Sequence, residues 1–142
     1  MAVLDLLTNN IDRFHPAKAP NFQNIDFLEG YQPIALDNFP DTRITADSPW
    51  GESALTTTSG QDTFATKTVD NLCKRLKVTD TQEQEHLESF KEGFVSAIKQ
   101  LKGKSSQYKQ HYQFYEAKGK GWQKDYLVLK ELVRRIDATA DR

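Results

Sequence analysis

The sequence is poor in cysteine and lacks the marks of exported and membrane-spanning proteins. Its one cysteine, Cys73, excludes an intramolecular disulfide and a cysteine-based zinc site, and it fits a reducing compartment. No basic residue precedes Arg13, whereas a secretory signal begins with a positive segment. No apolar run approaches the roughly 18 residues that a transmembrane helix needs. We therefore expect a soluble, cytoplasmic protein with no membrane partner.

Motifs for catalysis and for cofactor binding are also missing. The chain has no Gly-x-Ser-x-Gly nucleophile motif. Gly103-Lys104-Ser105 resembles the end of a phosphate-binding loop, but Ile98 stands where that motif requires a glycine. Glu83 and His86 form a single Glu-x-x-His pair, whereas a di-iron bundle needs this pair twice. The sequence therefore predicts no catalytic residue, no metal and no cofactor, and it favours a protein that is not an enzyme.

The length and composition are those of one globular domain. A domain of about 142 residues buries roughly 68–70% of the surface of its unfolded chain, which is enough for a hydrophobic core. Hydrophobic residues make up 37% of the chain and charged residues 27%, which argues against disorder. Helical spacing of the apolar residues dominates the second half. The predicted fold class is mainly α: a small helical bundle of about four to five helices with an irregular, extended N-terminal arm.

Three segments are predicted along the chain: a short N-terminal helix over 1–15, an extended proline-punctuated arm over 16–60, and a helical body over 61–142. The first helix is predicted from four apolar residues spaced three or four apart, Leu4, Leu7, Ile11 and Phe14. Because a residue before proline is disfavoured in a helix, His15-Pro16 is expected to end it.

The arm contains all five prolines, at intervals too short for a helix of ordinary length. It also holds eleven large apolar residues, which is unusual for a disordered linker. Runs rich in β-branched residues at 42–45 and 53–58 predict a short β-hairpin there. The arm is expected to pack either on its own body or on a partner protein. Its candidate partner-binding residues are Phe22, Phe27, Tyr31, Phe39 and Trp50.

Four helices are predicted in the body. The first runs over about 61–77, and Thr79 to Gln82 resembles a capping box that begins the second. The second is expected to end near Lys102, with Gly103 just beyond it. Ser105 and Ser106 are expected to cap a short third helix, and the glycines of 118–121 to break it. The last helix carries apolar residues spaced four and three apart: Trp122, Tyr126, Leu129, Val133, Ile136 and Ala140.

The charge is distributed unevenly along the chain. Residues 1–66 carry three basic and nine acidic side chains, a net charge of −6, whereas residues 67–142 carry sixteen and eleven, a net charge of +5. Between Lys99 and Lys130 there are eight lysines, two acids, no arginine and several aromatic residues. Lysines can neutralise phosphates and aromatic rings can stack on unpaired bases. The candidate nucleic-acid-binding residues are Lys102, Lys104, Lys109, Tyr112, Lys118, Lys120, Trp122 and Lys124.

Two functions are compatible with these features. The first is an adaptor-type structural subunit of a larger assembly, a hetero- or homo-oligomer, in which it binds a protein partner through its apolar arm and helical body. The alternative is a small nucleic-acid-binding protein that uses the lysine- and aromatic-rich face of residues 99–130. A third interpretation of that face is structural, with the aromatic residues in the core and the lysines simply solvated. The sequence leaves these alternatives open.

Overall fold

A computed structural model describes residues 1–10, 12–15, 18, 20–30, 32–35 and 44–142, and only the backbone of Phe22. Among the described residues there are six α-helices and one two-stranded sheet, so the fold is mainly α, as predicted. The helices are α1 (Ala2–Thr8), α2 (Glu52–Leu55), α3 (Thr58–Leu76), α4 (Asp80–Gly103), α5 (Ser105–Ala117) and α6 (Gln123–Ala138). The strands are β1 (Ile25–Phe27) and β2 (Pro33–Ala35).

Helix α1 is shorter than predicted and buries a different face. It ends at Asn9, whose φ of 55° is left-handed, so the predicted face does not continue to Phe14. Ala2, Val3, Leu6 and Leu7 are buried, whereas Leu4 is 50% exposed. Of the residues predicted to share one face, Leu7 and Phe14 are therefore buried and Leu4 is not. Ile11 lies outside the described residues.

The β-hairpin lies earlier in the chain than predicted. β1 pairs antiparallel with β2, with Ile25 opposite Ala35 and Phe27 opposite Pro33. The predicted strand at 53–58 is wrong, because 52–55 is helix α2 and 58 begins helix α3. Residues 42 and 43 of the other predicted strand lie outside the described residues. Hydroxyl groups explain the difference: Thr56 Oγ1 donates to the Glu52 carbonyl oxygen at 2.9 Å, and Thr57 Oγ1 accepts the Gly60 N–H at 2.9 Å. These threonines therefore stabilise helix ends rather than a strand.

Helices α3 and α4 form the first helical pair, close to their predicted positions. Their contact is aromatic: the Phe64 ring lies 5.5 Å from Phe94 and 6.3 Å from Phe90, centroid to centroid. The capping box at Thr79 is confirmed. Helix α4 runs through Gly103 rather than ending before it. No helix among the described residues is long and apolar enough to cross a membrane.

The core lies where α1, α2 and parts of α3, α4 and α6 meet. Leu6, Leu7, Leu55, Phe64 and Ile98 are each at most 4% exposed. The C-terminal residues join this core, because the Ala140 N–H donates to the Leu55 carbonyl oxygen at 2.8 Å. The chain after residue 43 also packs on the body, with Ile44 only 3% exposed. The last part of the predicted arm is therefore part of the domain.

Candidate functional site

Helices α5 and α6, together with the turn that joins them, contain six of the eight candidate nucleic-acid-binding residues. The two helices pack against each other antiparallel, since the Tyr112 ring contacts Tyr126 at 5.8 Å and the Tyr115 ring contacts Trp122 at 5.5 Å. The turn between them needs Gly119, whose φ is 84°. Ser105 begins α5 without capping it, because its Oγ donates instead to Asp137 Oδ1 at 2.6 Å.

Two of the candidate lysines form bonds within the domain. Lys102 Nζ donates to the Thr139 carbonyl oxygen at 2.6 Å and to Asp141 Oδ1 at 2.9 Å. Lys109 Nζ lies 2.9 Å from Asp137 Oδ2, and this hydrogen bond raises the pKa of Lys109. Both ammonium groups hold the C-terminal part of the chain against α4 and α5. Their first role is therefore structural.

The remaining candidate lysines are exposed, and most of them lie at the end of the α5–α6 pair. We call residues 114–127 the hairpin tip. It presents Lys118, Lys120 and Lys124 together with Phe114, 58% exposed, and Trp122, 46% exposed. Lys118 Nζ lies 4.8 Å from the centroid of the Phe114 ring, within range of a cation–π contact. The tip therefore brings cations and open aromatic faces together.

Tyr112 and Lys104 lie away from this group. The Tyr112 ring is half-buried against Tyr126, whose hydroxyl oxygen accepts a hydrogen bond from Lys130 Nζ at 3.2 Å. Lys104 lies at the junction of α4 and α5 and is exposed. The eight candidates thus form no continuous face.

An apolar groove, which the sequence analysis did not identify, runs between α1, α4, α5 and α6. It has a volume of about 350 Å³ and is lined by Leu4, Leu101, Tyr108, His111, Tyr115, Leu129, Leu132, Val133 and Ile136. Among these described lining residues there is no carboxylate, lysine or arginine. The sequence does contain the spacing of helical faces here, because Tyr108 and Tyr115 are seven residues apart and Leu129 and Leu132 are three apart. The same spacing occurs whether such a face is fully buried or partly exposed.

The candidate residues of the arm are in different environments. Trp50 is half-buried, and its ring faces the guanidinium carbons of Arg134 and Arg135 at 6.0 and 5.4 Å. Phe27 is 58% exposed at the end of β1, and the adjacent Leu28 is 54% exposed. Tyr31, Phe39 and the side chain of Phe22 lie outside the described residues.

The described residues offer little for metal or thiol chemistry. Within them, no group of three or more His, Cys, Asp or Glu side chains is placed to hold a metal ion. Cys73 is buried, with 4% of its surface exposed. Burial raises the pKa of its thiol, so the reactive thiolate is disfavoured.

In comparisons with known proteins, no family model, no curated protein and no solved structure matches this chain.

Proposed function

We propose that the protein is a non-enzymatic subunit of a larger assembly that binds a protein partner through its helical body, at the apolar groove. The observation that supports this proposal is the lining of the groove, which is apolar or aromatic apart from His111. Leu4 is 50% exposed at this groove, so apolar surface there is open to solvent. Contiguous exposed apolar surface of this kind is typical of interaction sites.

The main contact with the partner lies on the helical body rather than on the arm. Trp50 is half-buried, with its ring facing Arg134 and Arg135 on α6, so only part of its surface is free for a partner. The exposed pair Phe27 and Leu28 at the end of β1 remains a second contact in this proposal. Exposed edge strands and hairpins are common sites of association.

The test compares two substitutions of exposed leucines. Leu4→Glu puts a charge at the groove, and Leu76→Glu puts the same charge at the C-terminal end of α3, where Leu76 is 64% exposed. We expect a native-extract partner to co-purify stoichiometrically with the wild type and with Leu76→Glu but not with Leu4→Glu. Thermal unfolding should confirm that both variants fold. Equal capture by both variants would contradict a role for the groove.

Nucleic-acid binding is the second candidate, and the hairpin tip favours it. The tip contains the exposed lysines Lys118, Lys120 and Lys124 and the exposed rings of Phe114 and Trp122, a combination that suits phosphates and unpaired bases. If this function is correct, mixed-sequence single strands bind at about 50 mM salt, where electrostatic contacts are weakly screened.

The matched variants for this second test come from the same set of lysines. Replacing Lys118, Lys120 and Lys124 by alanine should abolish binding of the single strand. Lys102→Ala should preserve it, because Lys102 bonds to Thr139 and Asp141 rather than facing a ligand. No binding by the wild type at low salt would eliminate this candidate.

A further inference from the structure

We propose that the occupant of the apolar groove is an amphipathic α-helix of a partner protein, with large apolar side chains on one face and carboxylates near both ends. This inference rests on the function proposed above and specifies the chemistry of the partner. It is carried by the secondary structure of the groove walls and by the charges at its two ends.

The walls of the groove favour a helix over an extended peptide. Its lining residues come from four helices, α1, α4, α5 and α6. The main-chain groups inside helices already bond to each other, so the groove offers few backbone partners to a ligand. An extended peptide would leave its own N–H and C=O groups unpaired against apolar side chains, which is costly. A helix brings its backbone already paired and inserts side chains three and four residues apart.

A lysine flanks each end of α5, the helix that forms one wall of the groove. Tyr108, His111 and Tyr115 follow each other at intervals of three and four residues on one side of α5, between Lys104 before the helix and Lys118 after it. The three central residues line the groove. The two lysines are about 21 Å apart along the axis, at about 1.5 Å per residue. A partner helix of about fourteen residues spans that distance.

Both lysines are available to a partner. Each is exposed, and within the described part of the chain neither forms an ion pair. Their neighbours Lys102 and Lys109 do form such pairs, with Asp141 and Asp137. This contrast leaves Lys104 and Lys118 as unneutralised charges at the two ends of α5, since the Phe114 ring under Lys118 carries no charge.

The acidic residues near these lysines do not cancel their charges. At the C-terminal end of α6, Asp137 and Asp141 are already paired with Lys109 and Lys102. By its spacing from Leu129, Asp125 lies on the groove side of α6, near the Lys118 end. At that end Lys118, Lys120 and Lys124 outnumber Asp125. Charge complementarity therefore selects a partner that is acidic at both ends of its apolar stripe.

The test uses two fluorescein-labelled peptides of about fourteen residues that share one leucine stripe at helical spacing. One carries glutamates at both ends, and the other carries lysines at the same positions. Binding is followed by fluorescence anisotropy in about 50 mM salt, where screening is weak. We expect the wild-type protein to bind the glutamate peptide at least about tenfold more tightly than the lysine peptide.

Charge reversal in the protein is the decisive part of the experiment. Lys104→Glu with Lys118→Glu should reverse the preference, so that the lysine peptide binds more tightly. Lys67→Glu with Lys99→Glu adds the same charge at exposed positions on α3 and α4 and should leave the preference unchanged. Leu4→Glu should weaken both peptides by about tenfold or more, because a charge is then buried in the contact.

Four results would overturn the inference. Equal affinity for the two peptides would remove the charge argument, and binding unaffected by Leu4→Glu would place the peptide elsewhere. If neither peptide binds while Leu4→Glu still abolishes capture of a native partner, the proposed function stands and the acidic helix is wrong. Competition by a single-stranded oligonucleotide that is lost in the Lys104 and Lys118 variant would assign these lysines to nucleic acid instead.

Discussion

The guanidinium group of Arg135 is fully buried and joins three parts of the chain. Its Nη1 donates to the Leu7 carbonyl oxygen at 2.7 Å, and its Nη2 donates to those of Thr45 and Ser48 at 3.1 Å. Its Nε donates to Glu131 Oε1 at 2.9 Å. The end of α1, the segment after residue 43 and helix α6 are therefore held together by a single side chain.

Substitution of the two neighbouring arginines should have very different effects on stability. Arg135→Met removes the donor from one buried and two partly buried carbonyl oxygens, those of Leu7, Thr45 and Ser48, and should cost about 3–5 kcal/mol in free energy of unfolding. Arg134 bonds to the same Glu131, but its side chain is 51% exposed, so Arg134→Met should cost less than about 1 kcal/mol. Urea denaturation of both variants measures the difference. Similar losses would mean that the bonds to the carbonyl oxygens contribute little.

The carboxylate of Glu131 should make the protein sensitive to acid. A hydrogen bond from Arg134 lowers the pKa of Glu131 against the opposing effect of burial, and Arg135 lowers it further. The folded-state pKa thus lies below its ordinary value of 4.5, so the unfolded state binds more protons in acid. The stabilisation is complete above about pH 4.5 and is lost as the pH falls through the folded-state value.

Denaturation from pH 7 to pH 3 measures this effect. Glu131→Gln should be less stable at pH 7 and should lose less further stability in acid than the wild type. Glu85→Gln, at an exposed position on α4, should keep the acid slope of the wild type. An unchanged slope in Glu131→Gln would assign the acid sensitivity to other carboxylates, such as Asp62 beside Arg142.

At the scale of elements, the approach of α2 to α3 depends on a residue without a side chain. A Cβ on Gly60 would overlap the Ser53 carbonyl oxygen, whereas one on Gly93 in α4 would point into open space. Gly60→Ala should therefore destabilise the protein by roughly 1–3 kcal/mol, because the two helices must move apart. Gly93→Ala should stabilise it by roughly 0.5–1 kcal/mol, because alanine favours a helix. Thermal unfolding of the two variants distinguishes the effect of packing at Gly60 from the effect of helix propensity at Gly93.

Local signals in the sequence predicted the long helices well and the short elements poorly. The capping box at Thr79 and the glycine turn after α5 are local, and both lie where predicted. The β-branched run at 53–58 predicted a strand, but its hydroxyl groups bond to nearby backbone atoms and favour helix ends. The wrong buried face was predicted for helix α1, because the helix ends at Asn9 and its seven residues are too few to define a helical period.

At the scale of the whole molecule, the contacts that complete the fold join residues far apart in the chain. Arg135 bonds to Leu7, and Gln61 Nε2 donates to the Ala140 carbonyl oxygen at 3.0 Å. Such pairs have no local signature, so the sequence predicted neither the buried arginine nor the position of the C-terminal residues. For the same reason it identified the lysines of the hairpin tip but not the groove, whose walls come from four separate helices.

The distribution of buried residues predicts that local unfolding begins at the hairpin tip and in the first half of α4. Val133, Arg135 and Ile136, near the end of α6, are buried, whereas no residue between 106 and 130 is. The first half of α4, residues 80–93, also has no buried residue. Segments with few buried apolar contacts open at lower free energy than the core, without unfolding of the whole domain.

Hydrogen exchange followed by mass spectrometry should reveal this gradient along single helices. Amides of 123–128 should exchange much faster than those of 132–137 in the same helix, and those of 80–88 faster than those of 95–101. The acidic helix peptide proposed for the groove should slow exchange at 108–115, because it covers Tyr108 and Tyr115. Uniform protection along α6 in the free protein would show instead that the aromatic contacts of Tyr112 with Tyr126 and of Tyr115 with Trp122 hold the tip as firmly as the core.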